Sequence, residues 1–174
     1  MVTIVQQNDP VLREIAQSVP EKDITSVKIQ KIIADMKEAL SSQIDGVAIA
    51  APQIGIPMRI FVVSSLVLSQ VDEKYKDITE DLVCINPTLS KLSRKKTEME
   101  EGCLSVRWLY GKIKRSEKAT LQAYDKKGNK FERGASGLLA QIFQHETEHL
   151  DGILFIDKAY NIEEIKPESH EHKA

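Results

Sequence analysis

Leu138-Leu139-Ala140-Gln141-Ile142-Phe143-Gln144-His145-Glu146-Thr147-Glu148-His149-Leu150 is the stretch on which the fold depends. Its apolar residues recur at helical spacing. Ser136 precedes it as a plausible cap, and Gly152 closes it after Asp151. The helix is too apolar for a surface, yet it carries His145, Glu146 and His149. Side chains four apart on a helix differ by only ~40° in direction and one turn in height. Two imidazoles can therefore converge on one metal ion. Glu146 then stands beside the ion, within reach of a proton on water bound there. Two histidines satisfied by ordinary hydrogen bonds are the plainer reading. Against it, burying these groups in an apolar helix is costly unless something pairs them.

Outward from this helix the sequence is that of one ordinary globular domain. The 174 residues are 41% hydrophobic and 29% charged, which excludes disorder, collagen and coiled coil as descriptions of the whole chain. Such a chain buries roughly two-thirds of its unfolded surface. With 5% aromatics, its core must be mainly aliphatic. A net charge of −2 makes nucleic acid a poor partner, and no direct DNA binding is expected. The basic run Lys91–Lys96 is followed at once by Glu98, Glu100 and Glu101, so it reads as a solvated strand of mixed charge. Two cysteines make no disulfide framework and point to a reducing compartment; Cys84 reads as a small core residue. Met1–Asp9 lacks a signal-peptide pattern, and no apolar run approaches the ~20 residues that cross a bilayer.

Asp9-Pro10 predicts a short helical turn with Val11, Leu12 and Ile15 on its apolar side. Ile29, Ile32, Ile33, Met36 and Leu40 predict a helix from about Thr25 to Gln43, ended by Asp45-Gly46. Arg59–Ser64 reads as a strand and Leu66–Glu80 as a polar loop. Leu82–Ile85 reads as a strand stopped by Asn86-Pro87, and Thr88–Met99 as an extended segment. Ala119–Asp125 and Lys130–Arg133 flank Lys126-Lys127-Gly128-Asn129, a hairpin signal. Helix, then short strands, then a buried helix predicts an α+β fold, with antiparallel sheets packed around a buried C-terminal metal-binding helix. Residues 1–160 form the single domain and 161–174 a polar tail, of which Glu163–Ala174, containing Pro167, is expected to fray.

A catalytic metal site usually takes three protein ligands and keeps one position open. One zinc-protease pattern places a third histidine six residues after the second; here that place holds Phe155. His170 and His172 lie in the polar tail. Cys103, between Gly102 and Leu104, can complete a Cys-His-His site.

Three blocks resemble the signature motifs of the peptide deformylase family. They are Gly46-Val47-Ala48-Ile49-Ala50-Ala51-Pro52-Gln53, Glu101-Gly102-Cys103-Leu104-Ser105 and Gln144–Leu150. Asn8–Arg13, Asn86-Pro87 and His149–Phe155 extend the resemblance to about residues 4–160. It implies removal of the formyl group from the formyl-methionine of nascent polypeptides, releasing formate. Cys103, His145 and His149 hold one divalent ion, and Glu146 is general base and then acid. The Gln53 side chain and the Leu104 N–H stabilise the oxyanion. Gly46, Val47, Ala48 and Ile49 form a strand that pairs with the extended peptide, while Ile142, with Val47 and His145, lines a methionine pocket. The resemblance favours ferrous iron (Fe2+), with Zn2+ as a substitute; the donors also suit Ni2+ or Co2+. The partners implied are formyl-methionyl nascent peptides at the ribosome, in a bacterial-type cytoplasm, an organelle or a phage-infected cell.

Three positions depart from the pattern: Ala48 replaces a glycine, Glu148 an aspartate, and Arg107 a proline after Val106. Two other readings compete. A different metal hydrolase predicts a third ligand other than Cys103; a non-catalytic relative, suggested by Ala48, predicts an occupied site without turnover.

Overall fold

The computed structural model describes residues 2–71, 77 and 79–166. In chain order its elements are α1 (Val27–Ser41), β1 (Ala48–Ala50), β2 (Ile60–Val63), α2 (Ser65–Val71), β3 (Leu82–Ser90), β4 (Lys96–Gly102), β5 (Leu109–Ser116), β6 (Lys118–Tyr124), β7 (Lys130–Ser136), α3 (Gly137–Leu150) and β8 (Tyr160–Glu164). Two antiparallel sheets result, in the orders β1-β2-β3-β6-β7 and β4-β5-β8.

The Ile60-Phe61-Val62-Val63 strand shows why the layers stack as they do. All four residues are buried, because helices cover both faces of the sheet at this point. Ile60 and Val62 pack with Ile29, Ile33, Met36 and Leu40 of α1. Phe61 and Val63 pack with Leu139, Ile142, Phe143 and Leu150 of α3. The same alternation divides β1: Ile49 joins the α1 side, whereas Ala48 and Ala50 lie beneath α3. Small residues there let α3 approach the sheet closely. A third cluster of Leu12, Val106, Leu154 and Phe155 ties the N-terminal turn to the loop after Cys103.

The α+β architecture is as the sequence predicts; several boundaries are not. The loop expected over Leu66–Glu80 begins as α2, because Leu68 finds a buried place and the Ser64 hydroxyl and Asp81 carboxylate take its first amides. Residues 72–76 and 78 of that loop lie outside the described residues. The strand expected to stop at Asn86-Pro87 instead bulges and continues to Ser90. Asn86 adopts φ 51°, and its amide exchanges two hydrogen bonds with the Val19 backbone at 2.8 and 2.7 Å. Ser136 precedes α3 without a side-chain cap bond. Ile15, expected on the apolar side of the first turn, is exposed. The tail expected from residue 161 is still ordered there: Tyr160–Glu164 pairs with the open edge of β5. His170 and His172 lie outside the described residues.

Candidate metal centre and its cleft

β4 ends by delivering Glu101, Gly102 and Cys103 to the interior. Gly102 lies against its cross-strand neighbour: a Cβ would sit 2.6 Å from the Tyr110 ring, which would have to shift. From the other side, α3 presents His145 and His149 one turn apart, with ring centroids at 4.9 Å. Cys103 Sγ is 3.2 Å from His149 Nε2. One ligand atom from each of Cys103, His145 and His149 lies within 4.8 Å of the others.

The surroundings orient these groups. His145 Nδ1 is 2.9 Å from Glu101 Oε2, which leaves Nε2 for the centre. Arg115 grips both Glu101 oxygens, at 2.7 and 2.9 Å, and reaches Glu148 Oε1 with its remaining nitrogen at 2.7 Å. Lys158 donates to the same Glu148 oxygen at 2.6 Å. Glu148 thus joins α3 to β5, one methylene longer than the aspartate of the resembled pattern.

Charge and burial act on each group differently. Burial alone raises the Glu101 carboxyl, but hydrogen bonds from Arg115 and His145 outweigh it and hold that group at about 2. Burial lowers the His145 imidazole, yet bonding to Cys103 and Glu101 lifts it well above its ordinary value. His149, buried beside His145, is pushed well below. Burial raises Glu146 to about 7. Among the described residues, its Oε2 and His149 Nδ1 are buried without a hydrogen-bond partner. A thiol, two imidazoles and an adjacent unpartnered carboxylate fit a divalent transition-metal ion: three protein donors of the right softness, as catalytic sites use.

Gln53 arrives from a turn of 3-10 helix, Ala51–Ile54, closed by Gly55 at φ 79°. Its Oε1 accepts the Ala50 amide at 2.8 Å, which fixes the flip of the side chain. Nε2 is thereby aimed at Cys103 Sγ, 3.5 Å, and Ser105 Oγ, 3.2 Å. Leu104 buries its side chain against the α1 cluster, so its backbone is held beside Cys103.

A cavity of about 290 Å³ opens onto these groups between β1, α3 and residues 103–110. Val47, Ala48, Gln53, Leu104, Ile142 and Glu146 lie on its wall, as do Cys103 and His145. Gly46 and Ile49, expected with Val47 and Ala48 to pair with a peptide along the strand, are not on this wall. Ile49 is completely buried and turned to α1 by strand alternation. Gly46 packs on α1, where a Cβ would meet Leu40 O at 2.7 Å. β1 is the edge of its sheet, and Ser64 N donates to Val47 O. With Ala48 opposite Val63, the Ala48 amide and carbonyl therefore face the open edge. Sequence reasoning singled out the Arg107–Tyr110 loop for the substrate tail but gave no role to Ser105, Gln6 or Asp45. Gln6 donates to Leu104 O at 3.1 Å from 98 residues away, a contact with no local signal.

Comparison with known proteins agrees with this geometry. The family model described as polypeptide deformylase matches residues 1–164. The chain belongs to the polypeptide deformylase family. A deformylase of Carboxydothermus hydrogenoformans is 39% identical over 160 residues, covering 91% of this chain and 93% of its own length. The chloroplastic/mitochondrial deformylase 1A of Arabidopsis thaliana is 40% identical over 166 residues, 89% of this chain; the chain spans only 60% of that relative's length. The crystal structure of an Acinetobacter baumannii deformylase with Met-Ala-Ser bound superposes with a TM-score of 0.79 at 30% identity, over 90% of this chain and 97% of the other. Among the described residues of this deformylase family member, no helix is long and apolar enough to cross a membrane.

Proposed function

We propose that this protein hydrolyses the formyl amide of formyl-methionyl peptides, releasing formate and a free amino terminus. The observation that carries the reading is the meeting of Cys103, His145 and His149 donors within 4.8 Å, beside a buried carboxylate and an aimed amide. A divalent cation held by those three residues supplies Lewis-acid chemistry, making water nucleophilic near neutral pH. Fe2+ is favoured by family membership, and Zn2+, Ni2+ or Co2+ suit the same donors.

The chain's own groups do the rest. Glu146 accepts the proton of the attacking water at its unpartnered Oε2 and returns it to the leaving amine. Gln53 Nε2 and the Leu104 N–H donate to the developing oxyanion. Ala48, on the free edge of β1, pairs its amide and carbonyl with the extended substrate backbone. Val47 and Ile142 offer apolar wall to the methionine side chain. The structure bound to Met-Ala-Ser in the Acinetobacter relative supports this class of ligand. Formylated nascent chains place the reaction at the ribosome, in a bacterial-type cytoplasm or an organelle.

The test is anaerobic assay of formate release from formyl-Met-Ala-Ser by cation-loaded protein. Stoichiometric release is expected. A fully loaded protein that binds the peptide and releases no formate overturns the reading in favour of a binding relative.

A further inference from the structure

An ion pair that the reaction above does not use spans the mouth of the cleft. Arg107 donates to the two Asp45 oxygens at 2.5 and 3.1 Å and to Gln43 Oε1 at 2.8 Å. Its guanidinium lies 4.7 Å from the centroid of the Trp108 ring. Asp45, Arg107 and Trp108 are all on the cavity wall. The Arg107 side chain is 18% exposed and that of Asp45 52%, so the anchored partner is Arg107. Its backbone is held as well: the Arg107 N–H donates to Gln6 Oε1 at 3.4 Å, and Val106 is completely buried.

The partner side is pinned only at its ends, by Gly46 packed on α1 and by Val47 O accepting from Ser64 N, and the Asp45 side chain between them is exposed. Residues 42–47 cross from α1 to β1, and Ile44 among them is fully exposed. Arg107 is the group that ties this crossing to the segment bearing Cys103 and Leu104. The crossing also leads directly into Ala48, whose backbone faces the free edge. Gln53 and the metal ligands lie toward the Ala50 end of that edge, where the Ala50 amide meets Gln53. A peptide lying along β1 with its amino end at the metal ligands therefore leaves past Asp45.

We propose that Arg107 is a positioning residue for the peptide beyond its methionine. Through Asp45 and Gln43 it holds the entry to β1 at the spacing at which Ala48 can pair with that backbone. This rests on the deformylase reading. It also goes beyond it, because the residue doing the work stands where the family pattern has proline.

The experiment uses Trp108, the single tryptophan of the chain, as a reporter that needs no turnover. Met-Ala-Ser and free methionine are titrated into cation-loaded wild type, Arg107→Gln, Asp45→Asn and the charge swap Asp45→Arg with Arg107→Asp. In parallel, KM and kcat are measured on formyl-Met-Ala-Ser and formyl-Met. Each single variant is expected to weaken Met-Ala-Ser binding and raise KM for the formylated tripeptide about fivefold, with kcat held within about twofold. Methionine and formyl-Met should be unaffected, and the swap should recover most of the loss. Raising salt should weaken tripeptide binding in wild type and not in Arg107→Gln. Equal losses on the long and short ligands, or variants that melt earlier yet bind Met-Ala-Ser normally, overturn the proposal. Tight peptide binding without any turnover counts against the deformylase reading and leaves the binding comparison to decide the role of Arg107.

Discussion

Glu101 Oε2 lies 2.9 Å from His145 Nδ1, and the same carboxylate is gripped twice by the buried guanidinium of Arg115. Two residues before Cys103 in sequence, Glu101 thus orients His145, 44 residues later. It makes the β4 end and α3 one unit. The ring cannot turn without breaking a hydrogen bond to a charged group whose own position is fixed.

Removing that control should show first in metal retention. Glu101→Gln is expected to weaken cation binding about 10- to 100-fold, read by chelator competition. Arg115→Leu leaves Glu101 and Glu148 buried without their common partner. It should lower stability by about 3–5 kcal/mol in urea titrations. Normal metal affinity in Glu101→Gln would show that His145 is oriented by α3 packing alone.

Two substitutions separate holding the ion from using it. Cys103→Ser should purify with little metal, because a hydroxyl is a poor replacement for thiolate toward these ions. Glu146→Gln should keep full metal content and lose about 10²–10⁴-fold in kcat. Metal analysis alongside formate release checks both. Full occupancy in Cys103→Ser would remove the thiol from the centre.

How much of this was legible in the sequence follows the range of each interaction. α1 and α3 were readable because their periodicity is local and strong. β5 was not assigned as a strand: it is rich in Lys and Arg, and Arg115 is buried only because Glu101 and Glu148 receive it across space. The strand through Asn86-Pro87 needed Val19, 67 residues away, to satisfy the bulged Asn86. At the site, helical spacing gives the two histidines, the need for a third ligand brings in Cys103, and family resemblance adds Gln53 and Leu104. Gly46–Ile49 reads in the sequence as one peptide-pairing strand; the register shows which backbone groups can do so, since alternation turns the Ile49 side chain to α1 and leaves the Ala48 amide and carbonyl on the outer edge. The Arg107–Asp45 pair joins positions 62 apart and left no trace in local pattern.

Gly152, at the end of α3, supports the site from behind. It adopts φ +73°, and a Cβ there would lie 2.6 Å from Arg13 O. Gly152→Ala therefore meets both left-handed backbone strain and a clash with main chain that cannot swing away. A loss of at least about 2 kcal/mol is expected. Gly134→Ala is the control, since none of the described residues lies within 4 Å of its added Cβ; it should stay within about 0.5 kcal/mol. Urea titration of the pair decides between strain at Gly152 and a general intolerance of alanine for glycine.

Arg13 and Asp157 close the same corner of the molecule, with Nη1 2.5 Å from Oδ2, and Asp157 also accepts the Leu154 amide at 2.9 Å. The hydrogen bond from Arg13 holds the Asp157 carboxyl below its ordinary value, with burial opposing and the Leu154 amide assisting. A carboxyl depressed in the folded state contributes stability that is complete above its unfolded pKa of about 3.9. That contribution is lost as pH falls through the lower folded value. Its side chain is 37% exposed, so solvent screening limits the contribution to less than about 1 kcal/mol. Asp157→Asn, which keeps an oxygen for Leu154, should therefore be less stable than wild type by a constant margin from pH 6 to 8. The margin should shrink below pH 4 as wild-type Asp157 gains its proton, and it should also shrink at high salt. Urea titrations of both proteins across this range check the sign. A margin that grows on acidification would mean that the pair is held by packing and not by charge.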